Sequence, residues 1–262
     1  MIQNQWLEFS ELMEFILSKN EIARYSRQIL LMGKDSQLAL KKSRVLVLGA
    51  GGIGSALLPY LASSGIGYIR LLDPDTVEES NLSRQILFND NHVGALKGPT
   101  AVEFLTSLNS NLEIDWLPGR FNEASSHQVE SMDLILEGTD DLPCKFLVSD
   151  MALQKNIPAI IGSIGNVQGH VFPVAARPNH ACYRCLFEKP PEEEIPTCAT
   201  EGILSPLPGI IGSMMAYLAI EYLSGRAGRE FLRKIYLMES SGWRTMKLEQ
   251  NRQCSCSTNI NS

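Results

Sequence analysis

The chain has 262 residues, of which 44% are hydrophobic, and its formal net charge is −6 at pH 7. This length and apolar content suffice to bury the core of one large domain. The lysines and arginines are dispersed, which argues against a nucleic-acid surface, and the apolar stretches are too short or too broken by glycine for a membrane span. The N-terminus lacks the pattern of a signal peptide, so a cytoplasmic location is expected.

Helices are expected before the first strand. Apolar residues recur at a helical period over residues 6–19, and a second helical pattern over 21–31 is broken by Gly33. A short helix over 36–42 leads into the first strand. We therefore assign residues 1–20 to an N-terminal helical extension, 21–256 to a single domain and 257–262 to a tail.

A strand over residues 44–48 runs into a glycine-rich turn that opens a helix to about residue 64. The turn fits the pattern G-x-G-x-x-G with one extra glycine, and its glycines are Gly49, Gly51, Gly52 and Gly54. Such a turn lets a phosphate approach backbone N–H groups at a helix N-terminus. Asp73, after a second strand over 68–72, is placed to accept from ribose hydroxyls. The pattern predicts a nucleotide site without separating NAD from ATP.

Strand and helix patterns then alternate, which predicts a doubly wound, Rossmann-like α/β domain to about residue 165, with a mostly parallel sheet and helices on both faces. The expected helices cover 94–108 and 138–154, and the expected strands cover 112–117, 133–137 and 158–161. Antiparallel strands are expected to extend the sheet at its C-terminal side, at 167–175, 234–239 and 243–248. An apolar helix is expected over 208–224.

Polar residues follow the predicted strand ends, the edge where such a sheet binds ligands. They are Asp73, Asn81, Arg84, Gln85, Lys97 and Asp140. Arginine and lysine suit triphosphate oxygens, and a carboxylate such as Asp140 can hold Mg²⁺ together with phosphate oxygens. Other roles stay open at this point, because Asp140 also fits a helix N-cap and each cation alone fits a solvated surface.

Several motifs occur in a fixed order along the chain: Arg24-Tyr-Ser-Arg-Gln28, Gly49-Ala-Gly-Gly-Ile-Gly54, Asp73-Pro-Asp-Thr-Val77, Ser80-Asn-Leu-Ser-Arg-Gln85, Lys97 and Gly138-Thr-Asp140. Together they resemble the E1-like adenylyltransferases, the ThiF/MoeB/HesA group, which activate sulfur-carrier proteins in thiamine and molybdopterin biosynthesis. The resemblance covers about residues 21–256, and the Ser-Asn-Leu-x-Arg-Gln element is its most specific part.

The resemblance implies ATP-dependent adenylation of the C-terminal glycine carboxylate of a ubiquitin-like sulfur carrier ending in Gly-Gly. The implied catalytic residues are Arg27, Arg84, Lys97, Asp140 and Cys198. The implied ATP ligands are Gly49, Gly51, Gly52, Gly54, Asp73, Asp75, Ser80, Asn81, Arg84, Gln85, Lys97, Asp140 and Asp141, with Asp140 also binding magnesium. Arg27 resembles an arginine supplied by the neighbouring subunit, which implies a homodimer.

The chain ends soon after Cys256, so a separate sulfur donor, a cysteine desulfurase or sulfurtransferase, is expected. The family pattern has asparagine where this chain has Asp141, and arginine where it has Lys145. The extra carboxylate is expected either to weaken phosphate binding or to add to metal affinity.

The cysteines suggest a second centre. Cys182 and Cys185 form half of a zinc knuckle, and the family pairs such a half with a second C-x-x-C. Here the C-terminal pair, Cys254 and Cys256, is C-x-C, one residue shorter. Both can still reach one metal, which predicts structural zinc, and the alternative is reduced thiols with a disordered tail. Cys144, on a predicted helix, is expected to be structural.

A crossover loop is expected over about residues 186–204, where the resemblance places Cys198. Some family members use a cysteine here covalently, and others do without it. Three alternative functions remain: activation of a peptide C-terminus, a NAD-dependent oxidoreductase, which the glycine turn and Asp73 also fit, and a non-catalytic zinc scaffold that docks a small β-grasp protein.

Overall fold

The computed structural model describes residues 16–165, 167–176, 180–189, 202–227 and 232–258. They build one eight-stranded sheet in the order β3-β2-β1-β4-β5-β6-β7-β8. The strands are β1 (Arg44–Leu48), β2 (Tyr68–Leu72), β3 (Glu113–Leu117), β4 (Leu134–Glu137), β5 (Ala159–Ile164), β6 (Gly169–Val174), β7 (Lys234–Glu239) and β8 (Gly242–Lys247). β1 to β5 pair in parallel, and β5 to β8 pair in antiparallel fashion. The predicted fold class is confirmed.

Helices cover both faces of the sheet. They are α1 (Lys19–Arg24), α2 (Ser26–Lys42), α3 (Gly52–Ser64), α4 (Lys97–Leu108), α5 (Leu142–Lys155), α6 (Tyr183–Phe187), α7 (Pro206–Leu223) and α8 (Ser255–Thr258). Alternate strand residues point to opposite faces. On β1, Val45 and Val47 therefore pack in a core with α3, α4 and α7, whereas Leu46 and Leu48 pack in a second core with α5 and α6.

Helices α3 and α7 pack closely because α7 has a glycine, Gly212, where the two helices meet. A Cβ atom there would fall on the carbonyl oxygen of Ile53. This approach brings the start of α7 beside the glycine turn, since Pro208 borders Gly52.

Some element boundaries differ from the predicted ones. Residues 6–15 of the first predicted helix lie outside the described residues. Residues 16–18 are non-helical, because Ser18 caps α1 through a reciprocal capping box with Glu21. The predicted break at Gly33 is confirmed, since α2 is kinked there at a φ of 84°. The helix predicted from residue 94 begins at Lys97, because Gly94 takes a φ of 87°. Within the described part of the chain, no helix combines the length and apolarity needed to cross a bilayer.

Candidate nucleotide site and cysteine cluster

The glycine turn connects β1 to α3 at the carboxyl edge of the parallel strands. Gly49 has a φ of 92°, a conformation that favours glycine. A Cβ atom at Gly54 would fall on the carbonyl oxygen of Gly49, so the turn is closed against its own helix. Helix α3 begins after Gly51, and among the described residues no side chain caps its N-terminus. The first N–H groups of this helix are therefore available to an anion.

Two other segments border this turn. A Cβ atom at Gly52 would lie 3.8 Å from Cγ of Arg84, and one at Gly51 would lie 3.8 Å from Nε2 of Gln85. On the other side, a Cβ atom at Gly49 would lie 3.1 Å from Cγ2 of Thr139. The fold thus brings residues 80–85 and 138–140 to the turn. These segments are distant in sequence and reach the turn because β2 and β4 both lie beside β1.

Asp73 ties the turn to the end of β2. Its carboxylate accepts hydrogen bonds from the amide of Ala50 at 2.6 Å and from that of Asp75 at 2.9 Å. Burial raises the pKa of this carboxyl, while the two amide donors act in the opposite direction. A carboxylate has further lone pairs, so Asp73 can brace the turn and still accept from a ribose hydroxyl.

Lys97 begins α4 and is 6% exposed. Its ammonium lies 3.3 Å from Oδ2 of Asp75. Sequence reasoning missed two neighbours of these residues. The guanidinium of Arg120 lies 3.8 Å from Oδ1 of Asp75, and the indole N–H of Trp116 donates to the carbonyl oxygen of Asp73 at 2.8 Å. The available signal was their position on or just after a predicted strand, the same signal that marked Asp73.

The segment from Ser80 to Gln85 holds its own shape. The guanidinium of Arg84 donates to the carbonyl oxygen of Ser80 at 2.9 Å, and the side-chain oxygen of Asn81 accepts from the amide of Glu78 at 3.3 Å. The buried Oε1 of Gln85 has no hydrogen-bond partner within the described residues. An unpaired buried acceptor beside Gly51 suits a polar ligand at the glycine turn.

The alternative that Asp140 caps the helix after β4 is wrong. Asp141 is the N-cap of α5, and its carboxylate accepts from the amide of Cys144 at 3.4 Å. Asp140 is exposed, and it makes no hydrogen bond or ion pair in the described part of the chain. The carboxylate that caps α5 is therefore that of Asp141, the residue that departs from the family pattern, and Asp140 is left available to a cation.

The contacts of the described residues do not connect Arg27 to this site. Arg27 is exposed on the first turn of α2 and makes no hydrogen bond or ion pair with the described residues. Cys198 lies outside the described residues. Cys144 is buried on α5, where burial raises its thiol pKa, which fits the structural role expected of it.

The four cysteines of the predicted knuckle converge. The sulfur of Cys182 lies 3.8 Å from that of Cys185 and 3.6 Å from that of Cys254, and the sulfurs of Cys185 and Cys256 are 3.5 Å apart. All four sulfurs lie within 4.8 Å of one another. Thiolates 2.3 Å from a tetrahedral zinc ion would be about 3.8 Å apart. The C-x-C pair therefore reaches the same point as C-x-x-C, and the alternative of a disordered tail is wrong for Cys254 and Cys256.

Neighbouring polar groups and burial act on the pKa values of these sulfurs in opposite directions. The backbone amide of Asn251 donates to the sulfur of Cys185 at 3.4 Å. The side-chain amide of Gln250 donates to the sulfur of Cys256 at 3.6 Å. Burial raises the pKa of Cys256 to about 11 and also raises the pKa of Cys182. Four thiolates at this spacing would repel one another without a cation, so the cluster is compatible with zinc.

Comparison with known proteins agrees with this geometry. The family model described as ThiF family matches residues 25–258. The sulfur carrier protein adenylyltransferase of Thermus thermophilus is 33% identical over 247 residues, covering 90% of this chain and 91% of that protein. The SAMP-activating enzyme E1 of Haloferax volcanii is 35% identical over 215 residues, covering 80% and 79%. The crystal structure of E. coli MccB with succinimide matches at a TM-score of 0.78 and 25% identity, covering 89% of this chain and 73% of that one. This chain therefore belongs to the ThiF family.

Proposed function

We propose that the chain uses ATP to adenylate the C-terminal carboxylate of a ubiquitin-like sulfur carrier, giving an acyl-adenylate and pyrophosphate. The carrying observation is that the Arg84 segment and the Asp140 loop both border the glycine turn in a member of the ThiF family. The names of relatives as sulfur carrier protein adenylyltransferase and SAMP-activating enzyme support the choice of substrate.

In this proposal the triphosphate lies across the turn. The free N–H groups at the start of α3 and the cations Arg84 and Lys97 stabilise negative charge on its oxygens. Lys97, now paired with Asp75, would exchange that partner for a phosphate oxygen. Asp73 and Gln85 would bind the polar groups of the nucleoside.

A carboxylate oxygen of the carrier attacks the α-phosphorus of ATP, and the bond from that phosphorus to the β-phosphate oxygen breaks. The electron pair leaves with pyrophosphate. The attacking carboxylate is already ionised at neutral pH, so no protein base is needed. The residues contribute positioning and charge stabilisation.

Asp140 would hold the magnesium ion of this reaction. Its exposed carboxylate lies directly after Thr139, which borders Gly49, so the ligand type and location fit. The ion, when bound, neutralises charge on the phosphate oxygens. We assign the ion to Asp140 rather than to Asp141, because one carboxylate oxygen of Asp141 already caps α5.

We propose further that Arg27 acts across a homodimer, on the triphosphate of the neighbouring subunit. Two large apolar side chains lie exposed a turn away on the same helix, Leu30 at 78% and Leu31 at 74%, as at an interface. Cys182, Cys185, Cys254 and Cys256 would hold a structural zinc ion. Cys198 and a separate sulfur donor would act after adenylation.

The test is isotope exchange between pyrophosphate and ATP with purified chain, Mg²⁺ and ubiquitin-like carriers ending in Gly-Gly. We expect exchange that requires a carrier with a free C-terminal carboxylate, with the C-terminally amidated carrier as the matched control. Short peptides with free C-termini form a second arm. Exchange with peptides alone would move the substrate from carrier to peptide. No exchange with several carriers, together with tight NADH binding, would overturn the proposal in favour of an oxidoreductase.

A further inference from the structure

A charged pair lies fully buried beneath the Asp140 loop. Glu137 is the last residue of β4, and Lys145 lies on α5. Their side chains are 0% and 4% exposed, and Nζ of Lys145 lies 2.7 Å from Oε2 of Glu137. The adenylation chemistry described above uses neither residue.

Both members of the pair form hydrogen bonds with Thr139. Nζ of Lys145 also donates to the carbonyl oxygens of Thr139 at 2.7 Å and Gly162 at 2.8 Å. Oε1 of Glu137 accepts from the amide of Thr139 at 2.8 Å and from its hydroxyl. All three ammonium donors are used, and three polar groups of Thr139 are held.

Thr139 is the residue on which both halves of the loop depend. On one side, its Cγ2 borders Gly49 of the glycine turn, and Gly138 donates to the carbonyl oxygen of Leu48 at 3.0 Å. On the other side, it precedes the exposed Asp140. Through Lys145 the loop is also fixed to β5 at Gly162. The distance between turn and carboxylate is therefore set by the buried pair.

Stability alone is a weak reason for such a pair. Two charges lose their hydration on burial, and replacing a buried ion pair by apolar residues of similar volume is often neutral or stabilising. A carboxylate and an ammonium with fixed hydrogen bonds do, however, orient a loop more sharply than apolar contacts can.

We propose that Glu137 and Lys145 are positioning residues that hold the Gly138–Asp140 loop, so that Asp140 and the glycine turn meet the same magnesium-bound triphosphate. This inference rests on the proposed function. Neither residue touches the substrate, and both act through Thr139.

The first variant is the double change Glu137→Met with Lys145→Met, which removes both charges together. The milder variant is Thr139→Val, which removes one hydroxyl and keeps the shape of the side chain. The matched control is Glu21→Met with Lys41→Met, a pair of 2.9 Å between α1 and α2 whose glutamate is buried. Binding of a non-hydrolysable ATP analogue is measured by calorimetry across Mg²⁺ concentrations, and exchange is measured in parallel.

We expect the Mg²⁺ concentration for half-maximal analogue binding to rise about tenfold to a hundredfold in the double variant, the usual cost of losing an outer-shell partner. Thr139→Val should raise it by a smaller factor, because it removes only the hydroxyl through which Glu137 holds Thr139. The control variant should need the same Mg²⁺ concentration as the unaltered chain, and the affinity for the carrier should be the same in all variants. A folded double variant with the Mg²⁺ dependence of the unaltered chain would overturn the inference, and if it fails to fold, Thr139→Val decides by the same criterion. Calorimetry needs no carrier, so failure of exchange in the unaltered chain would count against the proposed function alone.

Discussion

The nucleotide site and the cysteine cluster are built by opposite means. At the nucleotide site, residues from adjacent parallel strands meet because the sheet brings their carboxyl ends to one edge, and backbone geometry forms the glycine turn. At the cluster, Cys182 and Cys254 are 72 residues apart and meet through side chains on a short helix and a returning tail. The first centre is held by the sheet itself, whereas the second would depend on the zinc ion proposed for it.

Exposure differs in the same way. Asp140 is exposed and Arg84 partly so, while three of the four cysteines are buried and Cys185 is partly so. A change at the first centre should therefore remove activity and spare the fold. A change at the second should damage the fold before it reaches the chemistry.

The largest expected effect is at the cluster. Cys254→Ser should lose bound zinc and lower the free energy of unfolding by more than about 4 kcal/mol, because metal binding contributes directly to folding. Elemental analysis and denaturant titration measure both quantities. Cys144→Ser, a buried cysteine outside the cluster, is the control and should keep its metal. Full zinc content in Cys254→Ser would contradict the claim that the fold around the cluster depends on a metal held by these four cysteines.

Next comes the carboxylate after β4. Asp140→Asn should lower the exchange rate by about 10²- to 10³-fold, because the magnesium ion that stabilises developing charge would be held less well. Its melting temperature should match that of the unaltered chain, since Asp140 is exposed and does not cap α5. Asp141→Asn keeps a capping side chain and should keep its activity. Equal losses in the two variants would mean that the carboxylates share one role.

The smallest effect concerns the antiparallel half of the sheet. His170 on β6 stacks on Phe187, and its Nε2 has no partner among the described residues. Burial, and then the charge of Lys145, lower its pKa from 6.5 to about 4. As the pH falls, the unfolded chain therefore binds a proton at His170 before the folded chain does. The stabilisation of the fold by neutral His170 is complete above pH 6.5 and is lost as the pH falls towards 4, by about 1.4 kcal/mol per pH unit.

Denaturant titrations between pH 7.5 and 4.5 measure this slope. His170→Phe keeps a ring against Phe187 and should flatten the pH dependence. An unchanged slope in that variant would assign the acid sensitivity to other groups.

Much of the candidate nucleotide site was predictable because its signals are local. The apolar run of β1, the glycines after it and Asp73 after β2 each read directly from short stretches of sequence. Whether Asp140 is a helix cap stayed open in the sequence because adjacent aspartates both suit an N-cap, and the backbone angles of a single residue decide between them. The start of α4 was misjudged for a similar reason, a positive φ at Gly94.

Contacts between distant segments were not predictable. Nothing local links Lys145 to Gly162, Trp116 to Asp73 or Arg120 to Asp75, because these partners meet only after strands have paired in their register. The shortened C-x-C spacing left the cluster undecided in sequence for the same reason.

The sequence by itself determined the α/β class and the glycine turn, because hydrophobic period and glycine placement act over a few residues, and the order of its short motifs indicated the family. Tertiary structure alone decided which carboxylate is free, which buried charges brace the loop and whether four sulfurs meet. These are questions of distance and burial, and in a folded chain they depend on the packing of residues far apart in sequence.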